Sequence, residues 1–207
     1  LSVAIALPKL LGASMDGPKT YLVLVQNEDE LRATGGFISA FFKFVIKDGV
    51  ILSLEFKDTE GQEDWSLPYP DAPWQMRQYM AIPVLVLRDA NWFTNFPTTV
   101  RWVEFLYAYN NQHSVDGIIA IDQQMLVALL DVIGPITVQY SNEPITASNV
   151  VNFIREAKTP PVQPQPKDWS RKSSIKNIGN EIIKKLTTNL GDLDWKKMAE
   201  IVVRTLN

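Results

Sequence analysis

The chain reads as a layered α/β or α+β domain, with a mixed β-sheet that contains a hairpin and is flanked by helices. Three observations predict this. Short runs rich in β-branched and aromatic residues recur through the first half of the sequence. Asp48-Gly49 between two of these runs supplies the positive φ angles of a tight antiparallel connection. The second half carries stretches with apolar residues at helical spacing, so helices alternate with strands. With 207 residues, 46% of them hydrophobic, the chain can bury a full core, and residues 21–207 are expected to form one domain behind a lead-in at 1–20.

Strands are predicted at 21–26, 37–47, 50–57, 117–121 and 136–140, with the second and third paired through the hairpin. Residues 59–73 hold Gly61, Pro68, Pro70 and Pro73 among the acids Glu60, Glu63, Asp64 and Asp71 and the aromatics Trp65 and Tyr69, with Trp74 just beyond. Such a stretch is a long irregular loop, whose rings either pin it to the body or form a wall for a sugar. Helices are predicted at 97–109, capped by Thr94 or Asn95, at 123–132, ended by Gly134-Pro135, and at 146–157, with Thr146 as N-cap. Residues 158–168 contain Pro160, Pro161, Pro164 and Pro166 and read as an extended connection. Two last helices follow at 173–190 and 194–206, the first with Ile175, Ile178, Ile182, Ile183 and Leu186 on one face, expected to pack on the sheet.

Composition excludes several functions. A net charge of -3 gives no basic face, so nucleic acid is not an expected partner. The absence of cysteine removes disulfides, thiolate metal sites and cysteine nucleophiles. The single histidine, His113, lies in a polar stretch and reads as a solvated group rather than part of a catalytic triad. No apolar run is long enough to span a bilayer. The first residue is not Met and the start has no basic signal-peptide region, so the chain is expected to be a fragment or mature form, with a membrane anchor upstream.

Residues 27–37, N-E-D-E-L-R-A-T-G-G-F, place charge and a double glycine between two strand runs. Here Arg32, with Gly35-Gly36 letting backbone approach closely, suits an anionic guest; equally, Arg32 can pair with a neighbouring acid in a solvated turn. Three more places set charge at an element end: Lys57-Asp58, Arg88-Asp89-Ala90-Asn91 before a helix cap, and Asp168 to Arg171-Lys172 at another. Each is also compatible with ordinary capping and surface charge.

The segments Y-L-V-L-V-Q-N-E-D-E-L-R-A-T-G-G-F from Tyr21, R-D-A-N-W-F-T-N-F-P-T from Arg88 and V-D-G-I-I-A-I-D-Q-Q-M-L-V-A-L-L-D-V-I-G-P-I-T-V from Val115 resemble, in this order, a bacterial family of domains without assigned function. The resemblance covers roughly 21–207. That family is distantly similar to the LytR-CpsA-Psr transferases, which move a polyprenyl-pyrophosphate-linked glycan onto a cell-wall acceptor. Their R-S-D-T motif resembles Arg32-Ala33-Thr34-Gly35, which keeps the arginine and lacks the aspartate; their S-I-P-R-D-T resembles Glu55 to Thr59, with Lys57 for arginine; their K-I-N-A resembles Arg88 to Asn91.

This resemblance implies an extracytoplasmic envelope domain that binds such a glycan and is capable of transferring it. It implies Arg32, Asp58 and Asp89 as catalytic groups, and Lys57, Arg88, Asn91, Arg171 and Lys172 as ligand contacts, with arginine forks on the pyrophosphate. It further implies Mg2+ held by Asp58 or Asp89. The second implied reading is a non-catalytic glycan- or protein-binding module of the same fold, with Arg32 and Glu30 as a structural ion pair.

Overall fold

The computed structural model describes residues 8–139, 141–157, 171–188, 196, 197 and 200, without side-chain detail at 171 and 172. Tyr140, at the end of one expected strand, the proline-rich connection and most of the last expected helix lie outside these residues, as does Asp168. The chain divides into two compact units, 1–122 and 123–207.

The first unit is built on a four-stranded mixed sheet of order β3-β2-β1-β4, with β1 Lys19–Asn27, β2 Phe37–Lys47, β3 Val50–Asp58 and β4 Gly117–Ile121. β1 and β2 pair antiparallel, as do β2 and β3, whereas β4 runs parallel to β1 with Tyr21 opposite Gly117. The expected hairpin closes through Asp48 at φ 50° and Gly49 at φ 78°, both left-handed, as a two-residue turn between twisted strands requires. The lead-in clasps this turn: Asp48 N–H donates to the Gly12 carbonyl at 3.3 Å and Gly49 N–H to that of Leu11 at 3.0 Å.

A parallel neighbour needs a crossover, and three helical pieces supply it. Helix α1 is Trp74–Met80, a 3-10 helix covers Leu87–Trp92, and α2 is Phe96–Asn111. α2 matches the helix expected at 97–109, whereas α1 and the 3-10 turn are too short to display a helical period. Asn95 caps α2, its Oδ1 accepting from Thr98 N–H at 3.0 Å. α2 packs on the sheet through Leu106 and Tyr107, the latter meeting Phe41 edge to face at 5.9 Å. Leu22 and Leu24 of β1, Ile38 and Phe41 of β2, Met76 of α1 and Val103 of α2 complete that core.

Asp116 fastens the start of β4 to β1. Its Oδ2 accepts from Thr20 N–H at 2.8 Å and its Oδ1 from Lys19 Nζ at 3.0 Å. Partial burial opposes the charged carboxylate, but these two donors outweigh it and hold Asp116 below its ordinary pKa of 3.8. A lowered folded pKa means stability that is present above the ordinary value and disappears as pH falls through the folded one. Asp116→Asn is therefore expected to lower Tm by about 2–4 °C at pH 7. The gap between the two proteins should narrow as pH falls below 3.8, and a gap unchanged between about pH 7 and pH 2.5 in a thermal melt would contradict this.

The second unit has α3 Gln123–Ile133, α4 Val150–Glu156 and α5 Arg171–Thr188. Leu130 and Ile133 of α3, Val150 and Ile154 of α4, and Ile178 and Ile182 of α5 share one core with Ile136, Val138 and Ile145. The apolar stripe of α5 thus buries against helices, where the sequence reading expects the sheet. A stripe shows which face is buried and not what covers it. Gly134, at φ 75°, ends α3, and Lys185 Nζ donates to the Ile133 carbonyl at 3.1 Å and to that of Pro135 at 2.5 Å. Among the described residues, the expected strand from Ile136 reduces to one bridge with Ile145. α4 begins at Val150 rather than after Thr146, because Asn149 Oδ1 accepts from Thr146 N–H at 2.8 Å and holds a turn there.

Candidate functional site

The carboxyl ends of β1, β3 and β4 lie at one end of the sheet, since these three strands run the same way and β2 runs against them. The 28–36 loop joins β1 to β2 there. It braces itself: Asn27 Nδ2 donates to Glu30 Oε1 at 3.0 Å, Glu30 N–H to the Asn27 carbonyl at 3.1 Å, and Phe37 N–H to the Glu30 carbonyl at 2.8 Å. Gly36 packs so tightly on the end of β1 that a Cβ would run into the Asn27 carbonyl group and Glu28 N.

The 3-10 helix of the crossover docks onto this loop. Asn91, fully buried, donates through Nδ2 to the Gly36 carbonyl at 2.7 Å and to Thr34 Oγ1 at 3.1 Å. Thr34 Oγ1 also accepts from Gln26 Nε2 at 2.7 Å. Asp89, with its side chain 4% exposed, faces Arg32 Nη2 at 3.6 Å through Oδ1 and Arg88 Nε at 3.8 Å through Oδ2. Arg32 lies over the Phe37 ring at 5.2 Å and donates through Nη1 to the Leu31 carbonyl at 3.0 Å. Arg32 Nε, Asn91 Oδ1 and Glu63 Oε1 are buried without a hydrogen-bond partner among the described residues.

The structure therefore gathers four of the sequence-predicted residues, Arg32, Arg88, Asp89 and Asn91. The partner of Arg32 in that group is Asp89; Glu30, expected as a structural partner, is bonded instead by Asn27. Lys57 and Asp58 stand at the end of the edge strand β3, with β2 between them and β1. Asp58 Oδ1 accepts from Glu60 N–H at 2.9 Å, and the next residue, Thr59, is buried with its hydroxyl on the Ile38 carbonyl at 2.8 Å. The backbone of Arg171 and Lys172 opens α5, which belongs to the second unit. His113 is exposed.

A family model described as "Protein of unknown function (DUF4012)" matches residues 16–158, more than half of the chain. The chain belongs to the DUF4012 family. No curated protein matches it. The matched part of this DUF4012 chain contains the whole sheet and the Arg32–Asp89 cluster.

Within the DUF4012 domain, burial pushes the Asp89 carboxyl above its ordinary pKa, and Arg32 and Arg88 counter this only in part, while the charge of Glu63 adds to the rise. Such a carboxylate neutralises guanidinium groups; with a cation on either side it is poorly disposed to hold a dication as well. Among the described residues no group of three or more His, Asp or Glu is arranged to hold a metal ion. No helix among its described residues is long and apolar enough to cross a membrane.

Three members of the cluster are absent from the sequence-predicted set: Gln26, Thr34 and Glu63. Gln26 carries a readable signal, since it continues the inward alternation of Leu22 and Leu24 and yet is polar and buried. Glu63 has none beyond its place in a long loop.

Proposed function

We propose that this domain is an extracytoplasmic module that binds a phosphate-linked envelope glycan, of the polyprenyl-pyrophosphate type, at the end of β1, and that it does so without transfer chemistry of its own. One observation supports this reading above others: two guanidinium groups gather on one buried carboxylate, leaving cationic character at the carboxyl end of a central strand. The place is apt, because the chain leaves β1 for β2 on one side and returns as parallel β4 on the other, and ligands of open α/β sheets favour such crevices. Arg88, with its side chain 36% exposed, is the arm that reaches solvent, whereas Arg32 is mostly sunk and holds the loop. The distant resemblance to the LytR-CpsA-Psr transferases names the ligand class. The missing aspartate of their R-S-D-T motif, and an Asp89 already engaged by two arginines, favour binding over catalysis.

The test is calorimetric titration with a short-chain prenyl pyrophosphate, with and without Mg2+. Binding is expected with a Kd below about 1 mM and without a need for Mg2+, weakening as salt rises. Arg88→Ala should weaken it about tenfold or more, the worth of a charge-assisted contact. No binding at millimolar ligand would overturn the reading; turnover of a glycan-loaded carrier by the purified chain would restore the transferase alternative.

A further inference from the structure

We propose that Thr34 is a direct ligand contact, donating its hydroxyl proton to an oxyanion that Arg88 holds from the other side; this inference rests on the anion-binding reading above. A threonine hydroxyl has two acceptor lone pairs and one donor. Both acceptor positions of Thr34 are engaged, by Gln26 Nε2 at 2.7 Å and Asn91 Nδ2 at 3.1 Å.

The orientation of Asn91 is fixed independently. Its Nδ2 also donates to the Gly36 carbonyl at 2.7 Å, and turning the amide over would set two carbonyl oxygens against each other. Asn91 therefore approaches Thr34 as a donor, and with Gln26 donating as well the Thr34 proton is directed away from both amides. Thr34 is only partly buried.

Arg88 stands three residues before Asn91 in the 3-10 helix. Asn91, at the kink with φ -90° and ψ 29°, grips Thr34, while Asp89 faces Arg88 Nε at 3.8 Å and, at 3.6 Å, Nη2 of Arg32, two residues before Thr34, so Thr34 and Arg88 belong to one cluster. A hydroxyl donor and a guanidinium in one cluster suit the several oxygens of a diphosphate. They do not suit a metal ion, since both present protons. In this arrangement Asp89 and Arg32 act as support: they hold the helix and the loop in register while Thr34 and Arg88 touch the ligand.

Inorganic pyrophosphate is the probe, titrated into the whole chain by calorimetry. Wild type and Thr34→Ser should bind within about threefold of each other, because serine keeps the hydroxyl, while Thr34→Val should bind about tenfold or more weakly. Valine also strands the Gln26 and Asn91 amides, so the wild type supplies a second readout that needs no substitution. With methyl-labelled threonine, the Thr34 methyl resonance should shift on saturation with pyrophosphate and that of Thr20, at the opposite end of β1, should not. If wild type binds but Thr34→Val binds equally well, or the Thr34 methyl does not move, this inference fails and the anion-binding reading stands. If wild type binds neither pyrophosphate nor the prenyl pyrophosphate, both fall.

Discussion

Gly36→Ala is expected to destabilise the protein by about 3 kcal/mol or more, a loss large enough to abolish cooperative folding in a marginal domain. The added methyl would meet the Asn27 carbonyl group and the Glu28 amide nitrogen, all backbone, so no side chain can swing aside to relieve it. Room is gained only by moving the start of β2 off the end of β1. That motion also breaks the bond from Asn91 to the Gly36 carbonyl and leaves a buried amide unpaired. Gly35→Ala is the control. Gly35 sits at φ 127°, so alanine is strained there, but its methyl would meet only the Gln26 side chain at 3.2 Å. It should cost about 1–2 kcal/mol. Urea unfolding of both variants separates the effects, and equal losses would show that the close approach at Gly36 has little weight.

Asp89→Ala should be the next most damaging change, costing about 3 kcal/mol or more, because breaking a buried pair leaves the opposite charge without compensation. Arg32, with its side chain 15% exposed, is the group abandoned, and it closes the loop against Phe37. A fall in Tm of about 6–12 °C is expected. Asp89→Asn keeps the volume and one acceptor and should recover part of the loss; a Tm for Asp89→Ala within a degree of wild type would sink the argument. The pH trend is opposite to that of Asp116. Because Asp89 is raised, the folded state holds its proton more tightly than the unfolded chain does, so its contribution to stability grows as pH falls towards 3.8. Asp89→Asn should remove that part of the pH dependence.

Much of the sheet was legible because its signals are local. Alternation marks β1, the Asp48-Gly49 pair fixes the hairpin, and Asn95 with Pro97 announces α2. The stretch around Leu85, Val86 and Leu87 shows where local signals fail. Its residues are β-prone and buried, yet the only ladder contact there is a bridge from Val84 to Asp71, and the chain turns into a 3-10 helix at Leu87. Tertiary position overrides propensity in such a segment. For the site, charge at element ends directs attention to Arg32, Arg88, Asp89 and Asn91, but not to who meets whom. Arg32 has three acids within five positions and pairs with one fifty-seven residues away, because the crossover brings Asp89 to the loop and Glu30 is taken by Asn27. Contacts made only by long-range topology leave no periodicity to read.

Viewed as a polymer, the bond from Asn91 to Gly36 joins points 55 residues apart. Closing a flexible loop of that length costs about 3.5 kcal/mol beyond a constant. That cost falls on a handful of polar groups in a region 0–6% exposed at Asn91, Asp89, Gln26 and Asn27, where each bond is shielded from competing solvent. The polar cluster is thus the clasp of the crossover as well as the candidate site, and the long excursion from β3 to β4 is anchored at the same place where Arg88 reaches solvent.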